Sequence, residues 1–339
     1  MNFYAVNAKI SAMRGELLTE GDFDDLCQSG SVEGVGVRLS ENGAYRDILK
    51  SLEGAEIRRR VLEEKLPLAL YSDYERIRLF IYDQKVRDYL SAMFLKFGLN
   101  IFKLLLCMVS DERNIPYSLP ELDMLFARQF RLNAERLASA ATVQALIEEL
   151  RGTELYSLLS GISSLFEMER QLDLYYYLQL KRKREVLLDK ANSEVMERII
   201  GTEIDMLNIL WIYRLKHFYK INDERIFAYL IPIYHRLTAE QVNRMTDCES
   251  VDELAEVVAA GPYGSVFASG DARPFNRPEA ALSRKLNRVC AAEAKKHPDT
   301  LAPAVCYIYG KEREINNITT ALEGVRYQLD YRRIMEYLY

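Results

Sequence analysis

Apolar residues recur at every third or fourth position along most of the chain. Clear examples are EIRRRVLEEKLPLAL at 56–70, EVMERIIGTEIDMLNILWIYRLKHFY at 194–219 and EINNITTALEGVRYQLDYRRIMEYL at 314–338. This spacing places apolar side chains on one face of an α-helix, and the alternating pattern of a strand is hard to find. Glycine and proline, 16 and 9 residues, are concentrated where turns are expected, above all in an irregular surface segment at 259–278. The pattern predicts an all-α protein.

Three short segments share one pattern: SGSVEGVGVRL at 29–39, AATVQALIEEL at 140–150 and CESVDELAEVV at 248–258. Each has a hydroxyl residue followed by valine, and apolar residues at the third and seventh positions after that valine. The hydroxyl oxygen suits a helix N-cap, because it can accept a hydrogen bond from an amide of the first turn. The segments therefore predict three helix starts, with a capping box only in the third, where glutamate follows three residues later. The predicted caps are Ser31, Thr142 and Ser250.

Two further markers follow each helix start. A tyrosine comes first, and an Asn-Ile pair follows inside a long helical segment; the residues are Tyr45, Tyr156 and Tyr263, then Asn100, Asn208 and Asn317. The asparagines lie 108 and 109 residues apart, and the hydroxyl residues 111 and 108. Such a period exceeds the roughly 33 to 47 residues of common helical solenoids and matches a small domain. We expect three domains, at 1–110, 111–218 and 219–339.

The asparagines lie in apolar helices, where a buried amide must find hydrogen-bond partners. An interhelical clasp is the favoured interpretation, and a polar lining that contacts a partner is the alternative. Asp205 and Glu314 stand three residues before the second and third asparagines, whereas Phe97 occupies that position in the first copy. We expect the two acids to pair with arginines on neighbouring helices. The tyrosines are expected to pack within the domains, with their hydroxyls reaching a helix end.

Length and charge place the chain among ordinary globular proteins: 339 residues, 49 % hydrophobic, 28 % charged and a net charge of −5. The acidic balance argues against nucleic acid, which leaves a basic footprint. The run YYYLQLKRKREVLLDK at 175–190 holds a local basic patch, Lys181–Arg184. A solvated helix face is the first interpretation. Contact with acidic loops or anionic lipid head groups is the second.

No residues assemble into a recognisable catalytic, cofactor or metal motif. His217, His235 and His297 are isolated, the five cysteines form no CxxC pair, and GPYGSVFASGD lacks the Lys-Ser/Thr ending of a phosphate loop. Reduced thiols are expected. The capping hydroxyls have no adjacent base that would make them nucleophiles. We therefore expect no enzyme activity, and an enzyme is the weakest of the functions considered.

The most apolar stretch, LSAMFLKFGLNIFKLLLCMV at 90–109, approaches the length of a membrane span. Its polar residues Lys96, Asn100 and Lys103 fall on one stripe. A buried amphipathic helix is therefore expected. The N-terminal segment has polar residues where the apolar core of a secretory signal should be, which favours a cytoplasmic protein.

The chain resembles the C subunit of prokaryotic V/A-type rotary ATPases, whose eukaryotic relative is the d subunit of the vacuolar ATPase. The resemblance rests on the opening AKISAMRGELLTEGDFDDLCQSGSVEGVGVRLSENGAYRDIL, the threefold pattern and the closing YIYGKEREINNITTALEGVRYQL. It implies three homologous helical-bundle domains around a pseudo-threefold axis, which together form a funnel. It also implies a non-catalytic rotor subunit that couples the central shaft, subunits D and F, to the membrane proteolipid ring. Its place would be peripheral, on the cytoplasmic face of the membrane.

A cytosolic helical scaffold that binds a protein partner in a concave surface is the alternative from another class. Closure of three units around a central hole would favour the rotor, and an open superhelix would favour the scaffold.

Overall fold

The computed structural model describes residues 3–50, 59–111, 130, 132–219, 226–264 and 278–338. These residues form helices joined by turns, and no strand occurs among them. The predicted all-α class is confirmed. Most of the predicted irregular segment, residues 265–277, lies outside the described residues.

The described helices fall into short helices of 6 to 11 residues and longer helices of 19 to 27 residues that form the core. The short ones are α1 (Tyr4–Arg14), α2 (Glu20–Cys27), α3 (Val32–Glu41), α4 (Gly43–Leu49), α7 (Ala134–Ser139), α8 (Val143–Glu148), α9 (Glu154–Leu159), α12 (Ala239–Asp247), α13 (Val251–Ala259) and α16 (Tyr331–Tyr337). The long ones are α5 (Arg59–Arg78), α6 (Gln84–Ser110), α10 (Leu165–Leu187), α11 (Lys190–Arg214), α14 (Pro278–Lys296) and α15 (Ala302–Arg326). A π-helical turn at Leu215–Tyr219 continues α11, and a 3₁₀ turn spans Phe227–Tyr229.

The chain divides into two compact units. The larger unit comprises residues 1–83 and 189–339, and the smaller unit comprises residues 84–188. The N-terminal 83 residues and the C-terminal part of the sequence from residue 189 thus belong to one compact body. The division into three domains at 1–110, 111–218 and 219–339, and their arrangement as a funnel, stay predictions.

In the smaller unit, α6 packs along α10 and also contacts α8. By length and composition α6 could cross a membrane, yet 61 % of its most apolar window is buried inside the protein. The core helix of a soluble protein has the same properties. Asn100 is exposed, and the ammonium group of Lys103 lies 2.5 Å from the Asp173 carboxylate on α10. The prediction of a buried amphipathic helix is confirmed.

Two long helices form the core of the larger unit. α15 packs against α1, α2, α3, α5 and α16, whereas α11 packs against α12 and α13, and α14 contacts both long helices. The two are joined directly where the Tyr309 hydroxyl donates to the Glu203 carboxylate at 2.5 Å. α11 therefore packs on short helices from the third copy of the sequence repeat, and α15 packs on short helices from the first copy as well as on α16 of its own copy.

Glycines allow two close approaches in this unit. A methyl group at Gly201 of α11 would lie 2.6 Å from Cβ of His235, and one at Gly324 of α15 would lie 2.5 Å from Cγ1 of Ile334 on α16. Real Cβ atoms essentially never come so close. Only glycine fits at these positions without displacing the neighbouring segment.

The hydroxyl side chains start the helices as the pattern predicts. Ser31, Thr142 and Ser250 accept hydrogen bonds from the amides of Gly34, Ala145 and Glu253 at 3.0, 3.1 and 3.1 Å. The apolar positions four apart on each helix are buried: Val35, Leu39, Leu146, Leu150, Leu254 and Val258.

The predicted capping box in the third copy is wrong in its second bond. The Glu253 carboxylate accepts from the amide of Glu249, one residue before the cap, at 2.8 Å. Complete capping boxes occur instead at Thr19–Asp22 and Thr238–Gln241, where they start α2 and α12. Both sites follow the sequence rule of a hydroxyl residue with an acid or amide three positions later, and they could have been found from it.

Candidate functional site

A buried hydrogen bond closes the larger unit between its N-terminal and C-terminal segments. The Tyr45 hydroxyl on α4 donates to Oε1 of Glu314 on α15 at 2.5 Å. The other carboxylate oxygen accepts from the backbone amide of Leu18 at 2.6 Å. Glu314 therefore holds both the tyrosine and the segment of backbone that leads into α2. We call this set of bonds the Glu314 clasp.

Lys311 completes the charge balance of the Glu314 clasp. Its ammonium group lies 2.6 Å from Oε1 of Glu314 and 4.0 Å from the centre of the Tyr45 ring, and the residue is fully buried. A buried carboxylate is tolerated only when it is paired and hydrogen-bonded, and both conditions are met here. Burial and the neighbouring Glu314 charge raise the pKa of Tyr45 well above its ordinary value, so the phenol stays protonated.

A second carboxylate lies in the same buried region. The Tyr307 hydroxyl donates to Asp73 at 2.5 Å, and the Arg76 guanidinium donates to Asp73 at 3.2 Å and to Glu16 at 3.4 Å. Burial raises the pKa of the Asp73 carboxyl, while the hydrogen bond from Tyr307 and the Lys311 charge oppose this rise. Two helices and the N-terminal segment are thus joined by a continuous polar network.

The same arrangement recurs on α11, where Asp205 is fully buried. The Tyr263 hydroxyl donates to Oδ2 of Asp205 at 2.8 Å. Three consecutive backbone amides, from His235 to Leu237, donate to the two carboxylate oxygens at 2.6 to 3.0 Å. Desolvation, followed by the Asp205 charge, raises the pKa of Tyr263. We call this set of bonds the Asp205 clasp.

The two clasps hold equivalent backbone. Leu18 and Leu237 each directly precede a threonine that begins a helix with a capping box. Each threonine stands 12 residues before the serine cap of the next helix. Asp205 of the second copy therefore binds the start of the short helices of the third copy and the tyrosine of that copy, and Glu314 of the third copy does the same for the first copy.

The repeat asparagines are placed differently from one another. The Asn208 amide is buried and makes a two-way bond to the backbone of Ile231, with both distances 2.9 Å. This is the expected clasp. Asn317 is also buried, in a surface cleft of about 350 Å³ that is lined in part by Leu18, Phe23, Arg313 and Glu314. Asn100 is exposed on α6, so the expectation of a buried amide is wrong there.

The smaller unit has no acid at the corresponding position of its long helix. Phe97 occupies it, and its ring packs on Phe94 with the ring centroids 5.4 Å apart. The Tyr156 hydroxyl turns to its own copy of the repeat, donating to Glu148 and accepting from Arg151, both at 3.2 Å. The hydrogen bond from Arg151 lowers the pKa of Glu148. Tyr156 is half-buried, whereas Tyr45 and Tyr263 are fully buried.

Two expectations about these side chains are therefore wrong. Asp205 and Glu314 are expected from the sequence to pair with arginines. Among the described residues, each instead accepts hydrogen bonds from a tyrosine and from one or more backbone amides, and Glu314 also pairs with a lysine. Tyr45 and Tyr263 bond to those carboxylates and not to a helix end. Local spacing gives no sign of this pairing, because Tyr45 and Glu314 are 269 residues apart.

The described histidines pack against neighbouring side chains and backbone, and two of the cysteines are buried thiols with raised pKa values. His235 packs on Gly201, His217 stacks on Tyr213 with ring centroids 5.4 Å apart, and His297 lies beside the Arg198–Glu293 ion pair. Desolvation raises the pKa of the Cys27 thiol to about 11 and also raises the pKa of Cys290. Within the described ranges, no group of three or more metal-ligating side chains comes together.

The basic run lies on the last turns of α10. Lys181 and Arg182 are exposed, and Glu185 pairs with Lys181 at 3.5 Å and with Arg184 at 3.7 Å. A solvated helix face accounts for this arrangement. Contact with anionic lipid head groups stays a prediction.

Known proteins match the chain over almost its whole length. Residues 6–337 match a family model described as ATP synthase (C/AC39) subunit. The chain belongs to this family. It is 26 % identical to the C subunit of the A-type ATP synthase of Thermococcus onnurineus, over 97 % of this chain and 88 % of the relative. The equivalent protein of Pyrococcus abyssi is also 26 % identical, over 92 % and 83 %, and that of Methanosphaera stadtmanae is 23 % identical, over 92 % and 81 %.

Family membership fixes the class of function. The ATP synthase (C/AC39) subunit is a non-catalytic part of a rotary ATP synthase, which is a membrane-associated complex, so this chain does not carry the catalytic site. Membership also favours the rotary motor over an unrelated scaffold. The buried clasps are accordingly interpreted as structural elements and not as reaction centres.

Proposed function

We propose that this chain is the central-stalk subunit that couples the shaft of a rotary ATP synthase to its proteolipid ring. Its partners would be shaft subunits D and F on one side and the ring on the other, on the cytoplasmic face of the membrane. Torque would pass through the helical body while ATP chemistry and ion transport take place in other subunits. Membership of the C/AC39 family is the observation that carries this proposal.

The interior of the larger unit supports a role in transmitting torque. Its two long helices are fixed to other segments by buried, charge-assisted bonds at 2.5 to 3.0 Å, which are stronger and more directional than apolar contacts alone. Apolar packing tolerates sliding between equivalent arrangements, whereas a satisfied polar network selects one. A body that transmits torque needs this single arrangement.

Three repeats suit the joint between a shaft and a ring of different symmetry. We propose that the repeats form three domains around one axis. The narrow end of this funnel would contact the ring, and its wide end would receive the shaft. Such contacts would be large and distributed, so that few side chains would act as strong anchors. The exposed basic turns at Lys181 and Arg182 would lie near acidic loops or anionic head groups.

Reconstitution tests this function. The purified chain is mixed with shaft subunits D and F, with the detergent-solubilised proteolipid ring, and with both. Co-elution on gel filtration with the shaft, with the ring, and with the two together is the expected result. If circular dichroism shows a folded chain and this chain associates with neither the shaft nor the ring, the proposal is overturned. Circular dichroism thereby distinguishes an unfolded chain from a folded chain that does not bind.

A further inference from the structure

The three repeats differ at one position that decides how firmly each junction is closed. A junction here means the contact of a long helix with the short helices of the next repeat, and the first repeat is counted as the one next to the third. Glu314 and Asp205 close two junctions from within the larger unit. In the smaller unit Phe97 stands at the same position, three residues before Asn100. A phenyl ring cannot accept the hydrogen bonds that the two carboxylates accept.

The tyrosines show the consequence of this difference. Tyr45 and Tyr263 are 0 and 1 % exposed and point their hydroxyls at a carboxylate of another repeat. Tyr156 is half-buried, and its hydroxyl bonds to Glu148 and Arg151, whose side chains are 40 and 69 % exposed. Both bonds are therefore local, and the bond to Arg151 is exposed to solvent. They do not tie α9 to the long helix α6.

From this we infer that the short helices of the smaller unit, residues 143–159, open before the equivalent helices of the larger unit. The two clasped junctions must break a buried, charge-assisted hydrogen bond and leave a buried carboxylate short of a donor when they open. Among the described residues, no carboxylate takes this place in the corresponding junction of α6 with α8, and the Tyr156 hydroxyl bonds within its own repeat. The described structure therefore contains two junctions closed by a buried carboxylate and one junction that is not closed in this way.

This inference concerns the stability of the chain alone and does not depend on its role in a rotary motor. If that role holds as well, elastic deformation under torque would be concentrated in the smaller unit.

Local opening is measured by hydrogen–deuterium exchange with mass spectrometry on the full-length chain. Peptides that cover residues 143–159 are compared with those covering 32–49 and 251–264, after correction for intrinsic exchange rates. We expect exchange at 143–159 to be at least tenfold faster. Equal or stronger protection at 143–159 would overturn the inference.

Helix α8 is shorter than α3 or α13, and length alone speeds exchange, so substitutions separate the two causes. Tyr45→Phe and Tyr263→Phe each remove one hydroxyl from a clasp and should speed exchange at least tenfold in their own segments. Tyr156→Phe removes the equivalent hydroxyl and should leave exchange at 143–159 within twofold of wild type. An effect of Tyr156→Phe as large as that of Tyr45→Phe would contradict the inference.

Discussion

Tyr45 and Glu314 are joined by a buried hydrogen bond of 2.5 Å although 269 residues separate them along the chain. The bond connects a helix near the N-terminus to the last long helix, and the same carboxylate holds the amide of Leu18. The ends of the sequence repeat are thereby joined within one compact unit. The first test of this arrangement concerns the charge balance inside the clasp.

Glu314 and Lys311 should show strong energetic coupling. Glu314→Gln leaves a buried ammonium without its carboxylate and should lower the free energy of unfolding by about 3–5 kcal/mol. The double substitution Glu314→Gln with Lys311→Met should cost less than the sum of the two single substitutions, by about 1–3 kcal/mol. Urea denaturation followed by the fluorescence of Trp211, the single tryptophan, reports on this unit because Trp211 lies in α11. Additive effects would contradict the pairing.

Asn208 should be an essential residue of the core. Asn208→Ala leaves the buried Ile231 amide without its hydrogen-bond acceptor, whereas the Ile231 carbonyl keeps the bond from the Ile233 amide at 2.8 Å. The expected loss is about 1–3 kcal/mol of unfolding free energy, again from Trp211 fluorescence in urea. The control is Asn316→Ala, at an exposed position of α15 in the same unit, with an expected change of about 0.5 kcal/mol or less. Equal effects of the two substitutions would contradict the buried clasp.

Two glycines of one helix should respond to alanine in opposite ways. Gly324→Ala places a methyl group 2.5 Å from Ile334 and should destabilise the protein by about 1–3 kcal/mol. Gly310→Ala meets no atom within 4 Å and should be neutral or stabilise the helix by up to about 1 kcal/mol. Thermal unfolding followed by circular dichroism distinguishes them. A stabilising Gly324→Ala would show that α15 and α16 are less closely packed than described.

Alkaline pH should destabilise the protein through its buried tyrosines. Burial and adjacent carboxylates raise the pKa of Tyr45, Tyr263 and Tyr307 above the ordinary 10.0. Because the folded pKa is raised, this stability is complete below pH 10 and is lost as the unfolded phenols ionise above it. The loss at pH 11 is about 1.4 kcal/mol for each tyrosine.

Substitution identifies the groups responsible. Tyr45→Phe should lose less stability between pH 9 and pH 11 than the wild type does, whereas Tyr4→Phe, at an exposed position, should follow the wild-type profile. Urea titrations at the two pH values provide the measurement. Identical profiles for wild type and Tyr45→Phe would mean that this phenol is free to ionise in the folded protein.

Much of the fold follows from local patterns in the sequence. Three-residue and four-residue apolar spacing predicts the helices, and Ser31, Thr142 and Ser250 cap helices where hydroxyls precede that spacing. The spacing also predicts the polar stripe on α6, where Asn100 is exposed and Lys103 pairs with Asp173. These features depend on residues within a few turns of each other, where spacing and geometry are directly linked.

The pairing inside the clasps could not be predicted in this way. Asp205 and Glu314 stand out as acids in apolar helices, but nothing within several turns identifies a tyrosine as the partner. The choice is set by tertiary packing, which brings the tyrosine of the third repeat onto the long helix of the second and the tyrosine of the first repeat onto the long helix of the third. Phe97 is the one local signal that the first junction differs, and Tyr156 accordingly makes local bonds.

The most direct test of the account is electron microscopy of the ATP synthase complex that contains this chain in its native membrane. The account predicts density for the chain on the axis of the proteolipid ring, at its cytoplasmic face, with the shaft seated on it. Density at the periphery of the complex, away from the ring axis, would contradict a role in coupling the shaft to the ring.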